Sequence, residues 1–141
     1  MNRRSERGSA AIEAVVVAPV LVLAVCLVIF GGRVALSRQA VQDIAADAAR
    51  AASLERTTTR ARGAAERAVA DGLAQRLPCV RHQFDLNLDG FAKPVGTPGS
   101  VAVALTCDLA TAELGLPGLP DITVSASALN PLDTFRERAN R

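Results

Sequence analysis

Few residues in this chain are able to do chemistry, and their types and spacing limit what that chemistry is. The candidates are three cysteines (Cys26, Cys79, Cys107), a single histidine (His82) and one carboxylate set against an apolar run (Glu13). Cys79 and Cys107 stand in the polar part of the chain without the CxxC spacing of a zinc or dithiol-redox site. Their natural reading is a structural disulfide, which implies an oxidising, extracytoplasmic space. Two reduced, buried thiols in a cytosolic domain is the alternative. A zinc site or a histidine-based triad would have to be built around His82 alone, and no serine or cysteine motif accompanies it. His82 therefore reads as a packed sheet residue on an apolar face. Asp85-Leu86-Asn87-Leu88-Asp89-Gly90 opens like a calcium loop, but the twelfth position is Gly96 where a bidentate Glu belongs, and the intervening leucines suit a strand. No catalytic residue, metal ligand, cofactor or small-molecule substrate is expected.

The elements that must carry these residues begin with the uncharged run Ala14 to Gly32, 19 residues that hold Cys26 as a small membrane-buried side chain. At 1.5 Å per residue the run spans about 28 Å as a helix, close to the hydrocarbon thickness of a bilayer. Arg3, Arg4 and Arg7 precede it with only Glu6 against them, so the positive-inside rule keeps that end cytoplasmic and places the residues after Arg33 outside. This agrees with the disulfide. The run is longer than the core of a usual secretory signal and lacks a clear small-x-small site near its end. A lipoprotein site fails as well, because branched Val25 precedes Cys26 and the apolar stretch continues past it. The absence of Trp and Tyr, with four Phe and 16 basic against 14 acidic residues, argues against a nucleic-acid surface. Arg60, Arg62 and Arg67 read as a solvated face.

Glu13 is the odd feature, a carboxylate at the very start of the run, in R-G-S-A-A-I-E-A-V-V-V-A-P. An ionisable group at a membrane edge is costly unless it has a partner or stays among the headgroups. Gly8, followed by Ser9 and by Glu13 at the fifth position, resembles the prepilin peptidase site of type IV pilins, which is cut after the glycine on the cytoplasmic side. Glu13, Pro19, the Gly31-Gly32-Arg33 exit and the continuation S-R-Q-A-V-Q-D-I-A-A-D-A-A-R-A-A resemble the TadE-like proteins of the tight-adherence (Flp, type IVc) pilus system, most strongly over Arg7 to Ala52. The C-terminal stretch V-S-A-S-A-L-N-P-L-D-T-F-R-E-R is similar to actinobacterial members. Ser9 and Ala10 stand where major pilins carry an aromatic or bulky residue, and Ala14 replaces the Tyr that follows the glutamate in Flp subunits. The resemblance thus implies a minor, pilin-like structural component. It implies prepilin peptidase, other pilin-like subunits and the pilus assembly platform as partners, Gly8 and Ser9 as the processing site, and Glu13 and Pro19 as assembly residues.

Simple electrostatics supports a cleavable leader independently of the resemblance. Removing residues 1–8 takes away three arginines and one glutamate and leaves 13 basic and 13 acidic side chains. A new α-amino group at Ser9 would then lie about one helical turn from Glu13, able to pair with it in the same or a neighbouring chain. The alternative is an uncleaved single-pass anchor, with Glu13 snorkelling to the interface and a small protein-binding domain on the far side.

The chain as a whole reads as α+β: a long N-terminal transmembrane and extended helix, a second helix, and a small antiparallel three-stranded sheet. Val34, Val41, Ile44, Ala45, Ala48 and Ala52 recur at helical spacing, so one helix runs from about Ser9 to Leu54, with a kink expected at Pro19. Ala45, Ala48, Ala49 and Ala52 form a small-residue stripe that lets a helix approach closely, either the chain's own second helix or another subunit. Residues 55–63 read as a linker, a helical pattern resumes at Ala64, and Pro78 ends it. Residues 64–141 then form an extracytoplasmic helix and sheet. Val80 to Leu88 and Val101 to Leu109 alternate with period two around a Gly/Pro-rich loop, which is a hairpin, and a third strand follows at Ile122 to Leu129, after the turn L-G-L-P-G-L-P. Placing Cys79 opposite Cys107 sets Asp85 opposite Val101. That register carries a conflict, because Cys79 shares parity with polar Arg81 whereas Cys107 shares parity with apolar Val103. A bulge, or Cys79 lying just ahead of the strand, resolves it.

Overall fold

The computed structural model describes the backbone of residues 4–77, 79–112, 118, 120–135 and 137, with side chains described at Glu13 and from Val15 onward. The elements are α1 (Arg4–Leu54), α2 (Thr58–Arg76), β1 (Arg81–Asn87), a short 3₁₀ turn (Asp89–Ala92), β2 (Gly99–Leu109) and β3 (Ile122–Leu132). The class is α+β, as the periodicities predict. The expected Pro78 stop and most of the L-G-L-P-G-L-P turn lie outside the described residues.

Two compact units divide the chain, residues 1–34 and 35–141. In the first, α1 continues through Pro19 without a break in its helical assignment. None of its described side chains is buried, and Val15 to Ile29 are exposed throughout. A helix that is apolar on every face cannot satisfy itself in water. Among the described residues this is the one helix long and apolar enough to cross a membrane.

In the second unit the rest of α1 carries a one-sided stripe. Ser37, Val41, Ile44, Ala45, Ala48, Ala49 and Ala52 are buried, the i, i+4, i+7 spacing of a face packed on a core. The alanine stripe is therefore taken up within this unit. α2 lies beside it, contributing buried Ala61, Ala65 and Val69, and it approaches closely enough at Gly72 that a β-carbon there would sit 2.8 Å from Ile44 Cγ1. Asp47 and Arg76 pair across the two helices at 3.1 Å, a half-exposed contact that adds little. α2 starts six residues ahead of Ala64, so the break between the helices is shorter than residues 55–63. The reason is capping: Thr57 takes extended backbone angles and its hydroxyl accepts from the Arg60 amide at 3.4 Å.

The sheet has the order β1-β2-β3, antiparallel throughout. Central β2 alternates strictly, burying Val101, Val103, Leu105, Cys107 and Leu109. β3 extends three residues beyond the expected Leu129, to Leu132. It is held to α1 by the Gln42 amide, which donates to the Ser127 carbonyl at 3.0 Å, and by Asn130, which donates to the Ser53 hydroxyl at 2.9 Å. Phe91, in the 3₁₀ turn, plugs the loop end of the core at 2% exposure.

The hairpin register differs from the sequence expectation. Asp85 stands opposite Ala104, not Val101, and the residue opposite Cys107 is His82. Cys79 lies ahead of β1, where the following Val80 amide donates to the Asp108 carbonyl at 2.9 Å. The parity conflict disappears, since Cys79 reaches Cys107 from outside the ladder.

Candidate functional site

The residues singled out by the sequence fall into two separate places. Gly8, Ser9, Glu13 and Pro19 all lie on α1, in the first unit. At 3.6 residues per turn, Ser9 and Glu13 occupy i and i+4, neighbours on one face and about 6 Å apart along the axis. The Glu13 side chain is exposed, at the start of the apolar surface that begins with Val15. The side chains at Gly8 and Ser9 lie outside the described residues, and their backbone belongs to α1. This constellation holds a charge at one end of an apolar cylinder. It can place a carboxylate beside a neighbouring helix and has no group suited to bond making.

Cys79 and Cys107 form a disulfide, with Cα atoms 5.6 Å apart. Cys107 is wholly buried and Cys79 half-buried, so the bridge ties the segment between α2 and β1 to the middle of the sheet. Cys26 is a free, exposed thiol on the apolar stretch of α1.

His82 departs from the packed position expected of it. It shares a face with Cys107, yet it is exposed, at the margin of the open space between α2 and β1. Asp85, Asn87 and Asp89 do not converge on a cation. Asp85 is on the ladder, while the Asn87 side-chain amide donates to Asp89 Oδ2 and the Asp89 amide donates to Asn87 Oδ1, both at 2.9 Å. That is the local chemistry of a turn. Among the described residues no three His, Cys, Asp or Glu side chains are grouped to hold a metal ion.

Sequence reasoning missed Gly90. A β-carbon there would lie 2.3 Å from the Ser100 carbonyl oxygen, so the 3₁₀ turn rests directly on the backbone of β2. The Asp-Gly pair was the available signal, since such pairs mark turns.

The family of TadE-like proteins matches residues 8–50, the stretch that holds Gly8, Glu13, Pro19 and Ala45, Ala48 and Ala49 of the alanine stripe. No curated protein and no solved structure matches the chain. The TadE-like family is one of structural pilus components, and its match supports a pilus assembly protein with an apolar helix that fits a membrane anchor. Over residues 8–50 this chain is similar to TadE-like proteins.

Proposed function

We propose that the chain is a minor, pilin-like component of a tight-adherence (Flp, type IVc) pilus, processed by prepilin peptidase after Gly8 and assembled through its N-terminal helix. The observation that carries this reading is the placement of Gly8, Glu13 and Pro19 on α1 around the start of an apolar stretch, Val15 to Ile29, that is exposed throughout. In this reading residues 1–8 are a cytoplasmic leader, the disulfide-bonded unit is extracytoplasmic, and the mature chain works by association with other pilin-like subunits and the assembly platform. The chemistry is the peptidase's, and the chain itself has a structural role.

N-terminal sequencing of the protein recovered from membranes tests the cleavage. Ser9 is the expected first residue, and Met1 or Asn2 would defeat it. Gly8→Val should leave the chain at full length, because a pocket that admits only hydrogen excludes an isopropyl group; shortening of the variant at the same bond would make the motif accidental.

Glu13→Gln keeps size and hydrogen bonding while deleting the charge. The variant should insert and be cut like the wild type, and its co-purification with other pilin-like subunits should fall about tenfold. A carboxylate buried among apolar helices needs a cationic partner such as the Ser9 α-amino group, and without the charge that pairing is lost. Unchanged association would make Glu13 an interfacial snorkeller.

One observation favours the uncleaved anchor as a second reading. α1 is helical from Arg4 across the Gly8–Ser9 bond, and a helical peptide bond must unwind before a protease can seat it. The sequencing experiment separates the two.

A further inference from the structure

The two sulfurs of the Cys79–Cys107 bridge differ in what surrounds them. Cys107 is wholly buried on central β2, with His82 of β1 opposite it on one side and Val124 of β3 on the other. Leu105 and Leu109, two residues away on the same face, are buried with it. Cys79 stands ahead of the ladder, half-buried, and lines the open space between α2 and β1. The backbone fixes it there: its own amide donates to the Leu77 carbonyl at 3.0 Å, and the next amide, of Val80, donates to the Asp108 carbonyl at 2.9 Å.

Thiol–disulfide exchange responds to such a difference, because the attacking thiolate must reach one particular sulfur and access decides which. Cys107 offers no side to solvent, so its sulfur is closed to attack while the sheet is folded. Only Cys79 Sγ borders open space. The steps therefore have fixed places. An external thiolate forms a bond to Cys79 Sγ, the bond between the two cysteines breaks, and Cys107 Sγ leaves with the electron pair. The products are a mixed disulfide on Cys79 and a thiol at Cys107 once that sulfur takes up a proton. In the closing direction the Cys107 thiolate attacks Cys79 Sγ and expels the external thiolate, which restores the bridge. A thiolate among Leu105, Leu109 and Val124 has lost its hydration, so it is driven back onto Cys79 and the open form is short-lived.

We propose that Cys79 is the site at which low-molecular-weight thiols and their disulfides act on this chain, with Cys107 as the resolving thiol that closes the bridge again. The site depends on the folded 35–141 unit and not on cleavage after Gly8, so the N-terminal sequencing result leaves it untouched.

Glutathione is the probe, applied to the full-length chain in detergent in a Cys26→Ala background, where no free thiol competes. The oxidised chain is mixed with reduced glutathione, quenched in acid after increasing times, blocked at its free thiols and mapped by peptide mass. At the earliest times glutathione should sit on Cys79, with Cys107 as the blocked thiol, in about tenfold or greater excess over the reverse arrangement. In denaturant both sulfurs are accessible, and the ratio should fall to within about twofold of unity. A native ratio near unity, an excess on Cys107, or no glutathione on either cysteine would overturn the proposal. Chains with one bridge cysteine supply a second measurement. In Cys107→Ala, oxidised glutathione should modify Cys79 in the native state and leave a stable adduct, since no resolving thiol remains. In Cys79→Ala the Cys107 thiol should react about tenfold more slowly, provided that hydrogen exchange shows β2 protected in both chains. Equal rates with β2 protected would refute the assignment, and where either variant loses that protection the ratio in the bridged chain decides.

Discussion

Cys79→Ala should lower the unfolding midpoint of the 35–141 unit by about 15 °C. The bridge joins residues 28 apart in sequence, and closing a loop of that size restricts the unfolded chain by about 3 to 4 kcal/mol. For a unit of roughly 100 residues each kcal/mol moves the midpoint by several degrees. Cys79 is the better position to change because it is half-buried and outside the ladder. Replacing wholly buried Cys107 would add a cavity or an unpaired hydroxyl to the loss of the bridge. The chain has no Trp or Tyr, so intrinsic fluorescence reports little, and α1 dominates the circular dichroism. Hydrogen exchange of β2 peptides in the full-length protein reads the unit directly. Wild type under reducing conditions should match the variant, and a midpoint within about 2 °C of the oxidised wild type would show that the bridge contributes nothing.

Gly90→Val should be at least as damaging, costing about 3 kcal/mol or more. The added β-carbon would meet the Ser100 carbonyl oxygen at 2.3 Å and the Ser100 nitrogen at 2.6 Å, with Leu132 Cδ1 at 2.9 Å. Two of these three atoms are backbone of the central strand, and Ser100 is paired with Pro131 on its far side, so β2 cannot retreat without opening the ladder. Overpacking that backbone movement cannot relieve lies at the severe end of single substitutions. Gly72→Ala provides the internal comparison. Its new carbon meets Ile44 Cγ1 at 2.8 Å and Cγ2 at 3.0 Å, atoms of a buried and stiff β-branched side chain, but no backbone atom, so a small separation of the two helices relieves it and its cost should be smaller. Denaturant midpoints from β2 exchange should rank wild type above Gly72→Ala and Gly72→Ala above Gly90→Val. Equal midpoints for Gly90→Val and wild type would mean that the 3₁₀ turn does not rest on β2.

Several features of this molecule were legible from residues alone. The 19-residue run from Ala14 to Gly32 excludes charge on every helical face, and only a membrane or a deep core tolerates that; the structure leaves Val15 to Ile29 exposed. The change from a 3.6-residue to a two-residue period after Leu77 marked where helix gives way to sheet, because side-chain direction is a local property of the backbone. The pairing of Cys79 with Cys107 was legible because no CxxC spacing competes for either thiol.

The tertiary structure decided what depends on distant partners. The hairpin register was not legible, since the 11 residues between β1 and β2 include a 3₁₀ turn seated on β2 and form no tight turn that would dictate pairing. The exposure of His82 followed from how little of that end of β1 is covered by α2, which neither element's own residues state, and which strand is central depends on where β3 returns. The alanine stripe could have served another subunit as well as the chain's own core. Burial of Ala45, Ala48, Ala49 and Ala52 within the 35–141 unit decided it, because small side chains state that something comes close without stating what.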